Sequence, residues 1–334
     1  MKRINNIYKD VISIDNLKLA DRKARRGKMG QYGVVTHIKN EELNIWNLHN
    51  SLYHKRYATS EYKKFIIFEP KEREIFSLPY VDRIVHHAVM NKLEPMFTGV
   101  FVNDCYACVK GKGIHAASKN LKKCLKDVDG TEFCLKLDIK KFYPSIDHDI
   151  LKSLLRRKIK DNDLLWLLDG IIDSAAGVPI GNYLSQYFAN FYLSYFDHWL
   201  KESIGVKYYF RYADDIVILH HSKAYLHKLR FQIEEYLSKN LKLQVKGNYQ
   251  VFPVDARGID FVGYVHFHWY TRLRKSIKQN FARMLVRRPN GQSIGAYYGW
   301  AIHCNSKNLL NKLLNNEKLL GTKHYHHKLQ SLYG

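Results

Sequence analysis

The chain has 334 residues, 46% hydrophobic and 13% aromatic, which is enough apolar material for two or three packed subdomains and excludes a disordered chain. Lys and Arg number 54 against 31 Asp and Glu, a formal charge of +23, so the expected partner is a polyanion, nucleic acid being the usual one. No apolar run reaches the roughly 18 residues of a membrane span, and the opening "MKRINNIYKDVISIDN" lacks the apolar core of a secretory leader. Five cysteines (Cys105, Cys108, Cys124, Cys134, Cys304) are an odd, low number that suits a reducing cytoplasm.

Residues 1 to about 60 lean helical and basic, with "DRKARRGKMGQYG" (Asp21 to Gly33) expected as an exposed basic loop. "FIIFEPKEREIFSLP" reads as a β-hairpin, entered through Phe65–Phe68 and left through Ile75 and Phe76. "YVDRIVHHAVMNKLEPMF" follows as a long helix, with Ile84, Ala88 and Leu93 near helical spacing. Phe133 to Leu137 alternates as a strand that ends on Asp138 and gives way to a turn and a helix. Residues 180–202 form a helix with Leu184, Phe188, Phe191, Tyr195 and Trp199 on one face. A hairpin around Ala213-Asp214-Asp215 comes next, then a helix over about Lys223–Asn240 and short strands ending in "GIDFVGYVHFH". From Arg272 the tail is basic and helical; between Trp269 and Gly334 there are twelve Lys and Arg and one acid, Glu317. No repeat or Pro/Gly-rich linker divides the chain, and helix-flanked strands with an antiparallel hairpin indicate an α+β body.

The chemistry lies in "KYYFRYADDIVIL". Asp214 and Asp215 interrupt a run of strand-forming aromatic and branched residues, and unpaired buried carboxylates need water, a partner or a metal. Strand neighbours alternate faces, so the two share one site only if the backbone turns sharply at them. Asp138, at a strand end 76 residues earlier, can converge on the same point. Two divalent ions about 3.5–4 Å apart, bridged by such carboxylates, stabilise the attacking and leaving oxygens of a phosphoryl displacement. Mg²⁺ suits carboxylate and phosphate oxygens, and Mn²⁺ can substitute.

On these residues the chain resembles the reverse transcriptases. "RYADDIVIL" is their Tyr-x-Asp-Asp motif, and "LDIKKFYPSID" is similar to the strand motif of their other catalytic aspartate. "PKEREIFSLPYVDRIVHHAVMNKLEPMF" resembles their finger region, in the branch shared with group II introns and bacterial retroelements; "GIDFVGY" resembles the primer-grip hairpin. The matches run in the family's order from about Phe65 to Tyr264. The resemblance implies a right-hand polymerase with an antiparallel palm sheet and a helical thumb. It divides the chain into a basic N-terminal extension (1–60), fingers (61–132), palm with finger insertions (133–257), primer-grip hairpin (258–270) and thumb (271–334).

It also implies roles. Asp138 and Asp214 would bind both metals with the Ile139 carbonyl, and Asp215 would support them with a looser grip. Tyr143 would be a steric gate against a 2′-hydroxyl, favouring deoxynucleotides. Lys71, Arg73 and Arg83 would clamp the incoming triphosphate, for which Arg is suited by its bidentate geometry. Gly263, flanked by Tyr264, would let a hairpin approach the primer, with Arg272, Arg274 and Lys275 as thumb contacts to primer and template. Lys242 and Lys246 are both candidates to assist proton transfer to pyrophosphate.

"IGNYLSQ" departs from the Gln-Gly-x-x-x-Ser-Pro form of most reverse transcriptases. Ile180, Gly181, Ser185 and Gln186 resemble the form found in diversity-generating retroelements. These copy a template-repeat RNA with errors opposite adenine, the cDNA rewriting a variable gene, usually with a basic ring-forming accessory variability protein. The implied partners are template RNA, primer or cDNA, dNTPs and that accessory protein, in the cytoplasm of a bacterium or phage host and with no membrane. A related bacterial reverse transcriptase in phage defence is the alternative, separable by gene neighbours. A non-catalytic RNA-binding scaffold would lack one of the metal aspartates, and all three are present. Cys105 and Cys108 with His324, His326 and His327 make a weak zinc motif, lacking a second Cys pair.

Overall fold

The computed structural model describes residues 3–68, 72–287 and 289–314. The chain forms two compact units and passes between them several times. One contains residues up to Asn103, Ile139–Ile204 and Glu234–Val245; the other contains Asp104–Asp138, Gly205–Ile233 and residues from Lys246 on.

The first unit is mostly helical. Helices Tyr8–Ile12 and Ile14–Ala24 pack on the long helix Tyr80–Val100, which also packs on Tyr183–His198. The expected basic loop at Asp21–Gly33 is corrected here. Leu17, Ala20, Asp21 and Ala24 recur at helical spacing and are buried, so helix continues to Ala24 and the loop begins after it. Asp21 is fully buried, accepting a hydrogen bond from the Tyr80 hydroxyl (2.5 Å) and pairing with Arg25 (2.8 Å). Strands β1 (Lys63–Ile67) and β2 (Arg73–Ser77) form the expected hairpin, Phe65 opposite Ile75. Asp161 caps helix Asn162–Asp173 through its Oδ1, while its Oδ2 accepts from Ile7 and Tyr8 (2.7 and 2.9 Å), fastening two helix starts with one carboxylate.

Helix Tyr183–His198 also departs from expectation. Instead of one apolar stripe, Leu184, Tyr187, Phe188, Phe191, Tyr192, Leu193 and Phe196 are buried around most of its circumference, while Tyr195 and Trp199 are only half-buried. A helix apolar all round is a central one. It ends in a π-helical turn, Trp199–Ser203.

The second unit holds two antiparallel sheets. Strands β3 (Phe133–Asp138), β4 (Tyr208–Tyr212), β5 (Asp215–His220) and β6 (Gln250–Pro253) are ordered β4-β5-β3-β6. Strands β7 (Ile259–Phe261), β8 (Tyr264–His266) and β9 (Thr271–Leu273) form the other sheet, so the "GIDFVGY" hairpin gains a third strand, with Arg272 in its middle. One apolar core, including Cys134, Phe210, Val217, Phe261 and Tyr264, spans both sheets. Helices Lys275–Arg287, Gly291–Ala301 and Lys307–Leu314 pack around Phe281, Leu285, Ile294 and Tyr298. Helices with antiparallel sheets make an α+β fold, as the sequence indicated. Among the described residues no helix is long and apolar enough to cross a membrane.

Candidate active site

The aspartates that interrupt a strand pattern lie at the end of the four-stranded sheet. Strand β3 ends on Asp138 and β5 begins on Asp215, and the two are directly opposite in the antiparallel register, so their side chains share one face. Tyr212 pairs with Asp215, leaving Ala213 and Asp214 as a two-residue turn. Ala213 takes the left-handed region at φ +53°, and the fully buried Arg211 donates to its carbonyl (3.0 Å). The turn therefore ends at Asp214, one residue before Asp215, which is a strand residue.

Each strand aspartate carries a lysine. Lys246 donates its ammonium to Asp138 Oδ2 (2.6 Å) and its backbone N–H to the Asp138 carbonyl (2.8 Å). Lys136, two residues before Asp138 and on the same face, donates to Asp215 Oδ2 (3.2 Å); it stands 3.1 Å from Oδ1 without hydrogen-bond alignment. Burial, and then the neighbouring Asp138 charge, push the Asp214 carboxyl up to about 6. Burial also raises Asp215, with Lys136 opposing it. Asp138 Oδ1 and Asp215 Oδ1 are shielded from solvent and accept no hydrogen bond among the described residues.

These observations fit a divalent cation. The donors are all oxygen, the type that hard cations select, and two shielded carboxylate oxygens beside a strained third carboxyl call for positive charge. Among the described residues no group of three or more His, Cys, Asp or Glu is placed to hold an ion unaided. Cys105 and Cys108 belong to no such group; burial pushes the Cys108 thiol up to about 11, and His324, His326 and His327 lie outside the described residues. Between the two lysine candidates, Lys246 is on Asp138, whereas Lys242 pairs with Asp147 (2.6 Å), the cap of helix His148–Arg156.

The expected nucleotide-binding residues fall in the other unit. Ile139, the first residue there after Asp138, bridges Val245. Tyr143 begins a 3₁₀ turn whose carbonyl accepts from Val178 N–H (2.9 Å). The Ile180 carbonyl accepts from Phe76 N–H (2.9 Å), strapping this segment to β2. Gly181 is at φ +118°, and a Cβ there would stand 2.7 Å from the Phe76 carbonyl oxygen, so the position requires glycine. Gln186 is exposed in the first turn of helix Tyr183–His198. Arg73 is exposed on β2; Arg83 donates to Gln31 and Ser77 (both 3.2 Å). Lys71 lies outside the described residues. A cleft of about 680 Å³ is lined by Tyr62, Phe76, Pro144, Val178 and Ile180 among others, so that Ile180, of the expected nucleotide-binding residues, faces it. Tyr62, which the sequence did not single out, meets Ser174 Oγ (2.8 Å) and accepts from Asn182 (3.2 Å).

The primer-contact expectations divide. Val262 (φ +44°) and Gly263 (φ +88°) form the β7–β8 turn, and a Cβ on Gly263 would overlap the Trp300 ring. The close neighbour requiring glycine is thus a helix of the same chain. Tyr264 is fully buried and its hydroxyl donates to the Trp300 carbonyl (2.9 Å), so its ring is a core element. Arg274 pairs with Asp260 (2.5 Å). Arg272 lies over the Phe267 and Tyr270 rings and, with Lys275, Arg257 and Lys278, lines a cleft of about 510 Å³.

Comparison with known proteins gives the arrangement a family. The profile of the reverse transcriptase (RNA-dependent DNA polymerase) family matches residues 67–266. Protein YkfC of Escherichia coli is 26% identical over 228 residues, covering 55% of this chain and 60% of that protein. The group II intron-encoded protein LtrA of Lactococcus lactis is 26% identical over 134 residues, covering 37% of this chain and 22% of that protein. An uncharacterized 91 kDa protein in the cob intron of Schizosaccharomyces pombe is 26% identical over 131 residues, covering 36% and 16%. The chain thus spans three fifths or less of these relatives' lengths. With the family profile covering more than half of the chain, and both aspartate strands within it, the chain belongs to the reverse transcriptase family.

Proposed function

We propose that the chain is an RNA-directed DNA polymerase that adds deoxynucleotides to a primer on an RNA template. The observation carrying this reading is the cross-strand pair Asp138–Asp215 with Asp214 in the adjoining turn, inside the family-matched region. Asp138, Asp214 and the Ile139 carbonyl hold divalent cations, with Asp215 supporting them. Mg²⁺ or Mn²⁺ bound there would neutralise phosphate charge and acidify the primer hydroxyl. Of the two lysine candidates we assign Lys246, which is bonded to Asp138, to proton transfer to the leaving pyrophosphate. Tyr143 excludes the ribose 2′-hydroxyl, and Lys71, Arg73 and Arg83 bind the triphosphate.

The finer reading is a diversity-generating retroelement enzyme, supported by Ile180, Gly181, Ser185 and Gln186. In it Ile180 stands where a glutamine amide otherwise checks the base pair, the RNA is a template repeat, and a basic accessory protein binds the polymerase. Similarity to a group II intron protein favours a second reading, a related retroelement or defence reverse transcriptase copying faithfully. Primer extension on an RNA template with dNTPs and Mg²⁺, followed by sequencing of the cDNA, separates them. Errors concentrated at template adenines support diversification; faithful cDNA removes it and keeps the polymerase.

A further inference from the structure

The two sheets of the second unit share an apolar core, but among the described residues no strand pairing joins them. One sheet carries the catalytic aspartates. The other carries the Val262-Gly263 turn, which the resemblance to reverse transcriptases implies lies against the primer. Catalysis on a primer terminus requires these sheets to keep a fixed register, because a misplacement of about 1 Å can cost roughly 10²-fold in rate. Apolar packing alone is non-directional.

Lys136 supplies a directional link. Alternation on β3 places it on the aspartate face, opposite the buried Leu135 and Leu137. Its partner in register is Val217, two residues along β5 from Asp215, a diagonal that a long side chain can span. The ammonium donates to Asp215 Oδ2 and also to the Asp260 carbonyl on β7, so one side chain holds both sheets. The link continues. Arg274 Nε donates to Asp260 Oδ1 (2.6 Å), and the Arg274 N–H donates to the Gly263 carbonyl (3.0 Å). Helix Lys275–Arg287 begins at the next residue. The path from a catalytic carboxylate to the primer turn and the first thumb helix is therefore a chain of hydrogen bonds through Lys136, Asp260 and Arg274.

We propose that Lys136 is a positioning residue that ties Asp215 to strand β7 and so sets the primer terminus against the catalytic carboxylates. The proposal rests on the polymerase reading above. Lys136 reaches the reacting atoms only through Asp215 and β7, so its loss should lower the turnover of correctly folded sites more than their number.

The test compares wild type with Lys136→Met, Lys136→Gln and Lys136→Arg in single-nucleotide addition to a DNA primer on RNA. Rates are divided by active sites titrated with trapped primer–template. Amide hydrogen exchange at Asp260–Gly263 is followed in EDTA. The expected result is a kcat per active site at least tenfold lower for Met and Gln, recovery of most of it by Arg, and faster exchange at β7 without metal. A fall smaller than tenfold in both Met and Gln, an Arg variant as slow as Met, or unchanged exchange would overturn the tie. If wild type itself adds no nucleotide, the polymerase reading fails instead, and the exchange measurement still decides whether Lys136 anchors β7.

Discussion

The aspartate end of the β3–β5 pair and the cleft around Tyr62 and Ile180 are built by different means. At the first, backbone register does the placing: alternation puts Lys136 and Asp138 on one face of β3, a two-residue turn carries Asp214, and pairing of β3 with β5 sets Asp138 opposite Asp215. At the second, Tyr62 meets Ser174 across 112 residues of sequence, and Ile180 is strapped to Phe76 across 104. The charged site is set by strand register and carries electrostatic strain; the cleft is set by contacts between irregular segments and carries steric strain at Gly181. Changing the first should alter chemistry with little loss of fold, and changing the second should do the reverse.

The largest effect should come from Asp138→Asn or Asp214→Asn. Either removes an oxygen donor with no local substitute, and primer extension should fall by about 10³-fold or more. Circular dichroism should stay unchanged. Lys246→Met comes next. It removes the proton donor proposed above but leaves the carboxylates, so kcat should fall by about 10²-fold. An unchanged kcat would leave Lys246 a charge partner of Asp138 only.

Stability should respond in the opposite order. Gly181→Ala places a Cβ against the Phe76 carbonyl at a backbone angle that L residues rarely adopt, costing about 1–3 kcal/mol, visible as a Tm lowered by several degrees. Asp214→Asn should stabilise the metal-free protein. The wild-type carboxyl is raised to about 6 by burial and Asp138, so ionising it in the folded state costs free energy that is absent below about pH 4 and complete above about pH 6. In EDTA at pH 7.5 the variant should gain about 1–2 kcal/mol, and the gain should vanish at pH 4. A Tm difference independent of pH would refute this electrostatic account.

The same contrast explains what the sequence made legible. Asp138, Asp214 and Asp215 stood out because charge in a strand pattern is costly and therefore informative. The α+β class followed from helices alternating with an antiparallel hairpin. Tyr62 was invisible because no local period connects it to Ser174. Tyr264 and Gly263 carry packing duties that no local pattern announced, the tyrosine being buried with a satisfied hydroxyl and the glycine crowded by Trp300. Asp21 was misread as part of a loop, since a carboxylate held by Tyr80 and Arg25 inside a helix is indistinguishable by composition from one in a basic loop. Lys136 was passed over because a lysine in an alternating strand reads as a solvent-facing residue until its partners are known.

The central claim is that Asp138, Asp214 and Asp215 form a divalent-cation site for RNA-templated DNA synthesis. The most direct measurement extends a labelled DNA primer on an RNA template with dNTPs, using wild type and Asp214→Asn, each in Mg²⁺ and in EDTA. The account predicts extension by wild type in Mg²⁺ alone. Equal extension by Asp214→Asn, or extension by wild type that persists in EDTA, would contradict it.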